Sequence, residues 1–119
     1  MKEIIFDEAP VFQKAIVAAA FSPRLTAVLN EAHRILQLLG AWPIILHAGD
    51  ESPATRTRLE EAIDRSSFSE HPPVCIIQHG APADVLIQAA KEHAADLLVA
   101  GALAKEGVFK YYLGSVART

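Results

Sequence analysis

"KAIVAAAFSPRLTAVLNEAHRILQLLGAWPIILHAG", residues 14–49, decides the fold. It opens on "KAIVAAAF" (14–21), an apolar run the size of a buried strand, and closes on a second, "WPIILHAG" (42–49). Between them Leu25, Val28, Leu29, Ala32, Leu36 and Leu39 recur at three- and four-residue spacing, which is one face of a helix. Ser22 can accept from the free N–H groups of the first turn, Pro23 suits the first helical position, and Gly40 can close the last turn. Pro43 sits near the start of its strand, where a missing donor is tolerated. Strands that are apolar throughout and joined by an amphipathic helix predict a parallel βαβ unit.

The rest of the chain repeats this alternation. "SPATRTRLEEAIDRS" (52–66) has the same Ser-Pro opening and reads as a more solvated helix, and "PVCIIQHG" (73–80) as a third strand. "APADVLIQAAKEHAAD" (81–96) carries Val85, Leu86, Ala89, Ala90 and Ala94 on one helical face, and "DLLVAG" (96–101) is a fourth strand. A polar loop follows, and Gly114 is expected to open a final helix. The order predicts an α/β, doubly wound, open parallel sheet with helices on both faces. Such sheets hold ligands at the carboxyl ends of their strands, here Ala20-Phe21-Ser22, His47-Ala48-Gly49, His79-Gly80 and Gly101-Ala102.

Composition narrows the function. At 119 residues the chain is long enough for one buried core, and a formal charge of −3 offers nothing to nucleic acid or an anionic membrane. No apolar run reaches the roughly 18 residues of a membrane span, and the acids in "MKEIIFDEAP" are wrong for a signal peptide. The single cysteine, Cys75, cannot form an internal disulfide and suits a reducing compartment, so the cytoplasm is expected.

"GAPADVLIQAAKEHAADLLVAG" (80–101) followed by "GVFKYYLGSVAR" (107–118) resembles the universal stress protein family, and the resemblance runs from about Lys14 to the end. That family wraps the phosphates and ribose of ATP with a motif of glycine, two residues, glycine, nine residues, glycine and serine or threonine. Here it reads Gly101, Ala104 and Gly114-Ser115, followed by Val116. The resemblance implies a nucleotide site built from Gly101, Ala104, Gly114, Ser115 and Val116, with Ala20 at the end of the first strand and Ala48 as a floor for the base. Glycine at 101 would let backbone approach a phosphate, and Gly114-Ser115 at a helix start would present N–H groups to an anion. Two positions depart from the pattern. Ala104 replaces the middle glycine, at a cost of about 1 kcal/mol if positive φ is needed. Ala20 stands where many ATP-binding members have an aspartate, and losing one polar partner costs about 1–3 kcal/mol.

The expectation is therefore a regulatory or stress-response domain with a degenerate nucleotide pocket, acting by dimerisation and partner contact. The alternative is an ATP- or AMP-binding member. No cofactor is implied firmly, although ATP stays open. Neither Ser-His-Asp, Cys-His nor paired-carboxylate chemistry is visible in the sequence, so no enzyme activity and no catalytic residue is expected. His33 and His93 lack partners at metal-ligand spacing, Cys75 reads as an inert core thiol, and no metal site is expected. Phe109, Tyr111 and Tyr112 either pack the loop down or form a subunit contact. In the resembled family the helix after Gly114 leads to a further strand that mediates dimers. The chain stops at Thr119, which suggests the first, truncated half of a tandem pair. Residues 1–13 form an extension in which "KEIIF" (2–6) could add a short strand, and 14–119 form the α/β domain. A flavodoxin-like or receiver domain is the fold-level runner-up, but a receiver needs an acidic cluster at the first strand's end and an aspartate on the third, and the sequence supplies neither.

Overall fold

The computed structural model describes residues 13–103 and 109–115, and the expected extra strand at 2–6 lies outside them, as do Ala104 and Val116. Five strands and three helices follow one another as β1 (Lys14–Ala18), α1 (Leu25–Leu39), β2 (Trp42–Ala48), α2 (Pro53–Asp64), β3 (Val74–Gln78), α3 (Pro82–Glu92), β4 (Leu97–Leu103) and β5 (Phe109–Ser115). The sheet order is β3-β2-β1-β4-β5, with the first four strands parallel and β5 antiparallel to β4.

Alternation along β1 divides the core into two layers, as the period of two requires. Ala15, Val17 and Ala19 face Leu25, Leu29, Ala32 and Leu36 of α1 and Leu59, Ala62 and Ile63 of α2. Ile16 joins Ile44 and Leu46 on the other face, under Val85, Ala89 and Ala90 of α3. Since both faces are covered, the centres of the parallel strands are apolar on both sides, at Ala15 to Ala18, Ile44 to Leu46 and Leu97 to Gly101, which is the pattern read from the sequence.

The helix ends correct two details. Pro23 and Arg24 form a turn, not the first helical turn: Ser22 Oγ accepts from Arg24 N–H at 3.2 Å and α1 starts only at Leu25. The matching Ser-Pro before α2 does act as expected, with Ser52 Oγ accepting from Thr55 N–H at 3.1 Å. Gly40 closes α1 with φ of 69°, where a Cβ would be strained. Ala94 was expected on the α3 face, but the helix ends at Glu92 and Ala94 lies beyond it at φ of 52°. Ala95 takes its place in the core.

The larger difference is at the C-terminal side. Gly114 and Ser115 do not open a helix; they end β5, with Gly101 opposite Tyr111, Leu98 opposite Gly114 and Leu97 opposite Ser115. Aromatic residues at 109, 111 and 112 favour extended backbone, and the pairing satisfies an otherwise open edge of β4.

Candidate functional site

The connections β1–α1–β2 and β2–α2–β3 pass over one face, whereas β3–α3–β4 returns over the other. The strand order therefore reverses between β1 and β4, and the carboxyl ends of these two strands form the crevice where such sheets take ligands. Ala20 and Gly101 flank it. Ala48, at the end of β2, packs partly against the α3 layer.

A stack of three side chains occupies the rim beside β1. His47 Nδ1 lies 2.7 Å from the Ala19 carbonyl oxygen. A carbonyl can only accept, so this nitrogen carries a proton and donates. The imidazole stacks on Phe21 with centroids 4.0 Å apart and planes 26° from parallel. The Arg58 guanidinium of α2 lies 4.4 Å from the centre of the same phenyl ring, in cation–π range. Gly49 gives the imidazole its room: a Cβ there would fall 2.7 Å from His47 Nε2. Farther along the rim, Asp50 and His79 are joined by a 2.6 Å contact in full solvent.

The positions taken from the glycine motif separate. Gly101 remains at the crevice, but Gly114 pairs three residues back along β4 and Ser115 four. At about 3.3 Å per residue, Gly114 sits roughly 10 Å toward the amino end of the sheet. As part of a strand it supplies no helix N-terminus for a phosphate.

His33 meets Phe68 edge to face. Cys75 is half-buried in β3, and burial pushes its thiol pKa up, opposed by the Arg56 charge. Arg56 itself pairs with Glu51 at 2.6 Å and donates to the Cys75 carbonyl at 3.1 Å. Among the described residues no group of three or more His, Cys, Asp or Glu side chains could hold a metal ion, and no helix is long and apolar enough to cross a membrane.

The model of the universal stress protein family matches residues 12–119, nearly the whole chain. The chain belongs to the universal stress protein family. Among solved structures, a universal stress protein crystallised in complex with cAMP is 30% identical, with a TM-score of 0.62 over 73% of this chain and 70% of that one. A protein of Mycobacterium tuberculosis is 25% identical, with a TM-score of 0.53 over 84% and 81% of the two chains. No curated protein gives a significant match.

Within this universal stress protein fold, Ala20, Ala48 and Gly101 lie toward the carboxyl ends of their strands; sequence reasoning had put them there. It missed the Phe21–His47–Arg58 stack, because Arg58 reads as one solvated charge on a polar helix. It also missed Asp96, which is buried at the start of β4 with both carboxylate oxygens on the Gln13 N–H at 3.1 Å. The sign available for Asp96 was its place, a carboxylate directly before an apolar strand.

Proposed function

We propose that this chain is a non-catalytic, cytoplasmic regulatory domain of the universal stress protein family, acting by self-association and partner contact, with a crevice unsuited to ATP. The observation that carries this reading is the β4–β5 register, in which Gly114 and Ser115 pair with Leu98 and Leu97, away from Gly101. A triphosphate needs donors converging on one point, and these residues diverge. The absence of the aspartate at Ala20 and the stack of Phe21, His47 and Arg58 beside it support the same reading.

A second reading is a smaller nucleotide with a single phosphate. The structural relative crystallised with cAMP favours it, as does the Arg58 guanidinium, a cation 4.4 Å from the ring of Phe21, the residue next to Ala20. Melting with 1 mM ATP and magnesium, and separately with 1 mM cAMP, distinguishes the two. A ligand at 100 times its dissociation constant stabilises by about 2.7 kcal/mol, or roughly 10 °C for a chain of this size. The proposal expects no shift with ATP. A shift with ATP overturns it, and a shift with cAMP alone moves the conclusion to the second reading.

A further inference from the structure

At the end of the sheet opposite the crevice, a groove of about 600 Å³ lies between the last turns of α1, the turn after α2 and the starts of β2 and β3. Leu36, Phe68, Pro72, Pro73 and Val74 line it together with Trp42. Trp42 is 76% exposed and Val74 63%, although both are large apolar side chains at the mouth of an apolar hollow. Contiguous exposed apolar surface of this kind marks interaction sites. The backbone of Trp42 is held in place, because its N–H donates to the Gln13 carbonyl at 2.8 Å and the ring of Pro43 restricts the chain directly after it. An aromatic anchor on a fixed backbone loses little entropy on binding.

Two features select a second copy of this chain as the occupant. The first is charge: the lining contains no carboxylate, lysine or arginine, and its polar side chains are His33, Gln37 and His71. In a chain of net charge −3, two copies meet with least repulsion at such a surface. The second is shape. A two-fold interface must carry knob and slot on the same patch, and here the projecting indole adjoins a slot walled by Phe68 and two prolines. We infer that this groove is a self-association surface, in which Trp42 of each copy seats in the groove of the other. The inference deepens the self-association part of the proposed function by assigning its surface. A standard interface of about 800 Å² over 20–30 residues a side gives roughly 30–40 Å² per residue. The twelve lining residues then supply about 400–500 Å² per copy, the scale of a weak, reversible dimer with micromolar or weaker affinity.

Trp42 is the single tryptophan, so the indole reports on its own surface. The full chain is followed from roughly 1 to 500 μM by sedimentation, tryptophan emission and acrylamide quenching. The expected result is a doubling of mass accompanied by a blue shift and protection of the indole. Trp42→Ala weakens association at least tenfold with an unchanged circular dichroism spectrum, and Val74→Arg, at a second exposed position, does the same. A monomer with a solvent-exposed indole at every concentration overturns the inference and the self-association reading together. A dimer of undiminished affinity in both variants overturns the inference alone, because assembly then uses another surface. A monomer whose indole is protected at every concentration also overturns it, since a segment of the same chain then fills the groove.

Discussion

Replacing Asp96 with alanine removes a clamp at the point where β1 and β4 begin to pair. Both carboxylate oxygens accept from Gln13 N–H at 3.1 Å, Oδ1 also accepts from Lys14 N–H at 3.2 Å, and the Asp96 N–H donates to the Lys14 carbonyl at 3.0 Å. The next residue, Leu97, is already in register with Ala15. Hydrogen bonds to a charged acceptor contribute about 1.5–3 kcal/mol each. Two N–H groups lose their acceptor, but Gln13 is exposed and regains water, so the full sum is not expected. The estimate for Asp96→Ala is a loss of about 3 kcal/mol, or roughly 10 °C in melting temperature. Asp96→Asn keeps one acceptor oxygen without the charge and should lose about half as much. Urea unfolding followed by circular dichroism measures both, with the slope expected to stay at its original value. A loss below about 1 kcal/mol for alanine would refute the clamp, because the bonds to the carboxylate would then contribute no more than water does.

Three further outcomes follow from single contacts. Gly49→Ala places a Cβ 2.7 Å from His47 Nε2 and forces out a ring held by Ala19 and Phe21. It should cost about 1–3 kcal/mol and shift the His47 ring resonances, and unchanged resonances would count against the stack. Gly40→Ala puts a Cβ at φ of 69° and should cost about 1–2 kcal/mol by urea unfolding. Burial raises the Cys75 thiol pKa, with Arg56 partly opposing and Glu60 adding to it. The folded state thus favours the neutral thiol, and the sign is loss of stability as pH rises above the ordinary thiol value of about 8.5. Iodoacetamide at pH 8 should therefore label the native chain more slowly than the urea-unfolded one, and equal rates would contradict the raised thiol pKa of the half-buried Cys75.

Local pattern was enough for the parallel part of the sheet. The largely apolar runs at 14–21, 42–49, 73–80 and 96–101 point to strands in a sheet covered on both faces, and the spacing of Leu25, Leu29, Ala32 and Leu36 means a helix packed on one of them. The carboxyl-end crevice follows from that order, and the family follows from the stretch around Gly101 and Gly114. These are properties of residue type and short spacing, which the chain carries before it folds. Contacts between residues far apart in sequence are different in kind. Phe21, His47 and Arg58 meet only because β1, β2 and α2 converge at one end of the sheet, and Asp96 reaches Gln13 only because β1 and β4 are neighbours. The state of Gly114-Ser115 was decided in the same way. Gly-Ser can start a helix or end a strand, and its own propensity does not separate the two. The open edge of β4, which exists only once the sheet has formed, makes it a strand and carries it away from Gly101.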